Sequence, residues 1–496
     1  MLSYKQFAQS RILQIAPRYL PFADVATEDV PLSRLLRLSL FQVTGGMALV
    51  LMVGTLNRVM IVELGVAASL VAVMISLPLV FAPFRALIGF KSDTFVSALG
   101  WRRVPFIWKG TMWQFGGFAI MPFALLVLSG YGEAVDAPRW MGLGSAGLAF
   151  LLVGAGLHTV QTVGLALATD LVREEDHPKV VGLMYVMLLL GMVGAAFIYG
   201  ALLEDYTPGR LIQVIQGTAV VTIALNLIAL WQQEPRDRVR ATAMRERTET
   251  PRFSDSWRKF IRYDGALRLL VVIGLGTFAF GMADVLLEPY GGQVLAMSVA
   301  ETTRLTAVLA GGSLLGFALA SHLLGRGGSA VRLARTGALI GMPGFGLIIL
   351  AAQSGNLAVF VTGTFAVGFG AGLFGHGTLT ATIRRAPREQ VGLALGTWGA
   401  VQATAAGIGV ALGGVLRDIV LHLPIAQTLG TATPYIAVFA LEAVVLAMAL
   451  IAAWSLRPLD LVRKPARFVP RMSSAGHGNG SDSGITHPAP RTQEVS

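Results

Sequence analysis

The sequence has no cysteine in 496 residues. That excludes a disulfide framework, a thiolate nucleophile, a cysteine-ligated zinc and a cysteine-held iron–sulfur cluster. Charge is scarce too: Asp, Glu, Lys and Arg make up 14%, where a soluble globular chain carries about 25%. The chain also lacks a Walker lysine motif, a His-Glu-x-x-His pair and a serine nucleophile elbow, so ATP-driven and hydrolytic chemistry have no carrier and it reads as a non-enzyme. Residues 1–31 include Lys5, Arg11 and Arg18 but no uninterrupted apolar core with a small-residue cleavage site, which is unlike a signal peptide.

Apolar bulk takes the place of charge, with 54% hydrophobic residues and a mean hydropathy of +0.65. The formal net charge of +11 would suggest nucleic acid in a soluble chain. Here the arginines fall mainly in short loops between apolar runs, as a bilayer with an anionic cytoplasmic leaflet favours, so lipid rather than nucleic acid is the expected surroundings. A hydrocarbon core of ~30 Å needs ~20 apolar residues of helix. Runs of that kind cover residues 38–57, 66–88, 106–129, 142–167, 181–203, 211–231, 267–287, 300–323, 336–352, 357–381, 391–414 and 433–455. The expected architecture is therefore an all-α membrane protein with twelve transmembrane helices in two six-helix bundles, over 35–232 and 266–456.

The bundles are separated by a basic linker, 233–265, and flanked by a basic N-terminal arm, 1–34, and a Gly-, Ser- and Pro-rich tail, 457–496, expected to be disordered. The arm reads equally as an amphipathic surface helix or as a disordered segment. Of the 39 lysines and arginines, only Arg58, Arg139, Arg210, Arg304 and Arg417 fall on the side opposite the termini and linker. That asymmetry predicts both termini in the cytoplasm of a bacterial inner membrane. A faint internal echo accompanies the six-plus-six division: Ala168-Thr169 before Val181-Gly182-Leu183, and Ala381-Thr382 before Val391-Gly392-Leu393.

Ionisable groups inside spans are costly and point to function. Asp284 and Glu288, four residues apart, share a helical face and precede Pro289-Tyr290-Gly291-Gly292. Counted from Arg268, Glu288 lies near the far boundary, where a Pro-Gly break is expected to end the helix. The pair reads either as interfacial carboxylates or as a proton or cation relay, a clasp to Arg58 or Arg304, or a water-mediated axial ligand. His158 and His376 occupy corresponding helices of the two halves amid glycines. An imidazole there can ligate a metalloporphyrin centre, bond a hydroxyl or fill space, and the glycines suit either a flat ring or close helix packing. Arg85, beside Pro83, sits where its side chain can snorkel. Gly368-Phe369-Gly370-Ala371-Gly372 lies inside a membrane helix and binds no dinucleotide.

Gly89, Asp93, Gly100, Arg102 and Arg103 lie between the second and third runs in an order that resembles the major facilitator superfamily signature, with Thr94 where a basic residue is usual and a stretched spacing. The resemblance implies that fold, and a clasp or gate involving Asp93, Arg102, Arg103 and Arg85. Pro83 to Pro105 together with Gly281-Met282-Ala283-Asp284-Val285-Leu286-Leu287-Glu288-Pro289-Tyr290-Gly291-Gly292 is similar to the PucC/LhaA family of phototrophic bacteria, the bacteriochlorophyll-delivery branch of that superfamily. This second resemblance covers residues 35–456. It implies an assembly factor for light-harvesting complexes, with the core antenna preferred on account of the basic arm. The factor would deliver or hold bacteriochlorophyll a or a late precursor as antenna polypeptides insert. Its expected partners are those polypeptides, the bacteriochlorophyll synthesis or insertion machinery, and lipids. His158, His376, Asp284 and Glu288 are then the candidate pigment contacts, with no protein-ligated metal. A proton-coupled carrier of a small lipophilic molecule and a non-transporting scaffold are the alternatives on the same fold.

Overall fold

The structure, a computed structural model, describes residues 30–80, 88, 91–92, 97, 101–130, 136–173, 176–234, 265–385 and 391–456. The regular elements among them are all helical, as expected where no water is present to bond a backbone and each helix satisfies its own amides. In chain order they are α1 (Leu32–Glu63), α2 (Ala68–Val80), α3 (Val104–Ser129), α4 (Arg139–Asp170), α5 (His177–Leu202), α6 (Pro208–Leu230), α7 (Ala266–Val294), α8 (Val299–Gly325), α9 (Ala330–Ser354), α10 (Leu357–Arg385), α11 (Val391–Leu421) and α12 (Thr433–Trp454), with a short helix, Pro424–Leu429, before the last.

Among the described residues 11 helices are long and apolar enough to cross a membrane. α2 is apolar but described only as far as Val80, so the run over 66–88 is seen in its first part. α1 is longer than its apolar run and widens into π-helical hydrogen bonding over Val50–Leu56 and Val59–Glu63. Such widening recurs at functional sites. The N-terminal arm to residue 29, residues 235–264 of the linker, and the tail from residue 457 lie outside the described residues, as do Arg85 and Asp93.

α1 starts and α12 ends on one face, the near face; α1 ends on the opposite, far face, where Ser69 N–H of α2 donates to Asp418 Oδ2 of α11 at 2.7 Å. The two halves meet where α2 runs along α11, α5 along α8, and α1 against α7 and α8. Glycine permits the tightest approaches within each half. A Cβ on Gly156 of α4 would strike Gly110 of α3, and one on Gly372 of α10 would strike the Ser313 carbonyl of α8. Phe197, Ile198, Val220, Leu267 and Ile451 are exposed on the outside, as lipid-facing side chains are. Trp140, Trp231 and Trp454 are exposed at helix ends, where interfacial indoles sit.

Candidate functional site

Asp284 and Glu288 do share one face of α7, and that face is turned inward. Both line a cavity of about 210 Å³ between α1, α2 and α5 of the first half and α7, α8, α10 and α11 of the second. Asp284 is exposed, and the surface it exposes faces this cavity. Glu288 is only 3% exposed. Its Oε1 accepts a short hydrogen bond from Thr306, while its Oε2 is buried without a partner. Gly54, in the π-helical stretch of α1, lies directly against it, and a Cβ at that position would collide with the carboxylate. Elsewhere the lining is aliphatic apart from Met192, Thr306 and Thr364.

The expected break at Pro289 is absent, because α7 continues through the proline to Val294. Proline has no N–H for the carbonyl four residues earlier, which is that of Val285. Asn57 Nδ2, from α1, donates to that carbonyl at 2.8 Å. A neighbouring helix thus satisfies the freed acceptor, so the helix persists beyond Glu288, which is buried between the halves. One residue on, Arg58 pairs with Glu63 and donates to the Met297 carbonyl at 2.9 Å. Thr55 Oγ1 and Thr303 Oγ1 are 3.1 Å apart, and Arg304 pairs with Glu204 at 3.1 Å. These contacts tie the halves together on the far face. The bonds of Arg58 and Arg304 go to these groups rather than to Asp284 or Glu288.

On the near face Arg103 Nε and Arg102 Nη2 reach Asp170 Oδ2, at the end of α4, at 3.1 Å and 3.3 Å. Arg103 Nη1 donates to Ser92 at 2.6 Å. Glu234, just beyond α6, accepts from the backbone N–H groups of Arg102, Arg103 and Val104 at 2.7–3.0 Å. These are unsatisfied donors at the start of α3, where a negative charge is also favoured by the helix dipole. The paired arginines therefore link the ends of α3, α4 and α6 within the first half.

The histidines stand apart from the cavity. His376 is 7% exposed, with the Phe317 ring edge-on at 4.1 Å between centroids. His158 is half-buried on α4. Of the glycines near them, Gly377 abuts the Ala334 backbone and Gly154 abuts Pro78, while a Cβ on Gly375 would meet nothing within 4 Å. Two features escaped sequence reading. Glu442, in the middle of an apolar run, is 0% exposed on α12, and both its carboxylate oxygens are buried without a partner; an acid inside a span was the available signal. The other is a groove of about 590 Å³ between α1, α5 and α6, almost wholly apolar and open on the outside, with Gly191, Gly194 and Gly217 in its wall and Arg210 and Gln213 at one end.

A family model described as PUCC protein matches residues 55–459. Protein PucC of Rhodobacter capsulatus is 63% identical over 451 residues, 90% of this chain and 97% of that one. Protein PucC of Rhodovulum sulfidophilum is 65% identical over 415 residues, 84% and 91% of the two chains. The bacteriochlorophyll synthase 44.5 kDa chain of Rhodobacter capsulatus is 27% identical over 434 residues, 85% and 96% of the two chains. Among solved structures, the nucleoside transporter NupG has a TM-score of 0.64 at 14% identity, covering 85% of this chain and 100% of that one. A bacterial homologue of the lysosomal transporter Spinster has a TM-score of 0.60 at 16% identity, covering 85% and 96%. At such identities the likeness concerns the fold alone: an all-α, multi-pass membrane protein similar to major facilitator transporters.

Proposed function

The chain belongs to the PucC family, and on that premise we propose that it is an assembly factor for bacterial light-harvesting complexes. It holds or delivers bacteriochlorophyll a, or a late precursor, while antenna polypeptides enter the membrane. The name of one relative, a bacteriochlorophyll synthase chain, is in keeping with a pigment ligand. The client is proposed as antenna polypeptide in general, since the arm that favoured the core antenna lies outside the described residues. The near face is assigned to the cytoplasm, and α2 is taken as the second of twelve spans in two six-helix bundles, over 35–232 and 266–456.

The observation that carries this reading is one of size. The central cavity, about 210 Å³, falls below the range of about 300–1,000 Å³ for pockets that enclose drug-sized ligands. A tetrapyrrole with a long hydrocarbon tail is larger still, so this cavity does not enclose a pigment. The groove between α1, α5 and α6, about 590 Å³ and open on the lipid side, offers an apolar wall flattened by glycine instead. Pigment is thus handled at the lipid-facing surface, and His158, half-buried on α4 and outside the lining of this groove, is a separate imidazole candidate for the magnesium.

The experiment is deletion of the gene in a phototrophic host. Antenna absorbance of the membranes should fall, and the intact chain should restore it; unchanged absorbance in the deletion strain would overturn the reading. A proton-coupled carrier is the second reading, favoured by the carboxylate-lined cavity and the transporter-like fold. Reconstituted vesicles accumulating a lipophilic solute under a proton gradient would support it.

A further inference from the structure

The pigment reading leaves three carboxylates in the membrane interior without a task. Glu442 of α12 has both oxygens buried and unpartnered, and α12 packs along α7, the helix that carries Asp284 and Glu288. Asp284 faces the cavity with no hydrogen bond or ion pair among the described residues. Glu288, one turn further on, aims an unpartnered Oε2 into the same apolar space from a residue that is 97% buried by its 3% exposure. An ionised carboxylate without a partner in such surroundings is far more costly than a neutral one. Something positively charged has to meet these groups.

Among the described residues no side chain pairs with them to supply such a charge. Arg58 of α1 acts on Glu288 from a distance, but its guanidinium is engaged by Glu63 and the Met297 carbonyl. The cavity-lining side chains of α1, α2, α5, α8, α10 and α11 carry no titratable group. Of the helices packed on α12, α9 brings Arg335, which is held by the carbonyls of Ala453 and Leu456 at the near face. α11 brings Arg417 and Asp418, which pair with each other near the far face. Among the described residues no group of three or more His, Cys, Asp or Glu is placed to hold a metal ion.

We propose that Asp284, Glu288 and Glu442 form a proton-binding site at the centre of the molecule. Glu442 keeps its proton away from solvent, while Asp284 and Glu288 exchange theirs with the cavity. At each exchange an O–H bond forms on a carboxylate oxygen as a proton from water is taken up, and the negative charge disappears. Because Glu288 lies against Gly54, its charge state bears on the contact of α1 with α7.

The site stands independently of antenna assembly and is tested without pigment or client. Infrared difference spectra of the purified full-length chain, recorded between about pH 5 and about pH 9, report the carbonyl stretch of protonated carboxyls. The expected result is one band that appears on acidification and shrinks in D284N and in E288Q, and a second, present at both pH values and slow to shift in heavy water, that is missing from E442Q. If E442Q does not fold, the band lost in D284N and E288Q still decides. Absence of protonated carboxyl bands from the native chain would overturn the proposal, as would bands that all three variants retain or a band that responds to sodium rather than to pH.

Discussion

The side-chain amide of Asn57 stands in for the backbone N–H that Pro289 lacks: its Nδ2 donates to the Val285 carbonyl at 2.8 Å, from one half of the protein to the other. The bond keeps α7 helical past the proline and holds the α1 stretch that faces Glu288 in place. A buried acceptor left unmade costs about 1–3 kcal/mol. Asn57→Ala is therefore expected to lower stability by about that amount, read as the midpoint of thermal unfolding in detergent. Pro289→Ala, which restores an N–H for Val285, should recover part of that loss in the double variant. Strictly additive effects would mean that the two residues do not share this acceptor.

The near-face network gives a second expectation. Glu234 serves three backbone N–H groups at the start of α3, so Glu234→Ala should lower stability by about 1 kcal/mol. Arg103→Lys should not preserve the native midpoint, because a single ammonium cannot reproduce the bonds to Asp170 and Ser92 made by different nitrogens of one planar guanidinium. A midpoint unchanged in both variants would reduce the network to surface charge.

Filling the groove separates pigment handling from folding. A Cβ at Gly194 or Gly217 meets nothing within 4 Å, whereas one at Gly191 meets the Val43 backbone. Gly194→Leu and Gly217→Leu should leave membrane abundance normal and lower antenna yield several-fold. Gly191→Leu should lower abundance itself. Normal antenna yield with both sites filled would remove the groove from the account.

The histidines divide by exposure. His158→Phe is expected to reduce copurified bacteriochlorophyll at unchanged protein level, and His376→Phe, at a 7% exposed site against Phe317, to leave it unchanged. Pigment retained in both variants would mean that the magnesium is held by another group or by water.

Eleven of the expected spans are found among the described residues, because lipid demands long apolar runs and leaves few alternatives; the helices run past the expected ends by up to seven residues, as α7 and α11 do. Glu288 was harder to place. Counting from Arg268 gave its distance along α7 but not what it faces, and nothing local indicates that Asn57, 228 residues from Val285 in sequence, fills the bond that Pro289 leaves vacant. Arg102 and Arg103 were visible as a pair, but their partners Asp170 and Glu234 lie 67 or more residues along the chain. Glycines beside His158 and His376 suited a flat ring or a close helix, and the sequence does not show which of them touch a neighbour, as Gly154 does Pro78 and Gly377 does Ala334, and which do not, as Gly375. Glu442 was readable in principle, as one acid in an apolar run, but not that both its oxygens are buried without a partner.

The most direct test of the central claim is purification of the intact chain in mild detergent from a phototrophic host, followed by an absorption spectrum and identification of the proteins that accompany it. The account predicts bacteriochlorophyll absorbance in the purified fraction, antenna polypeptides among the copurified proteins, and loss of the pigment in the doubly filled Gly194→Leu, Gly217→Leu variant. A colourless native preparation that carries no antenna polypeptide would contradict it.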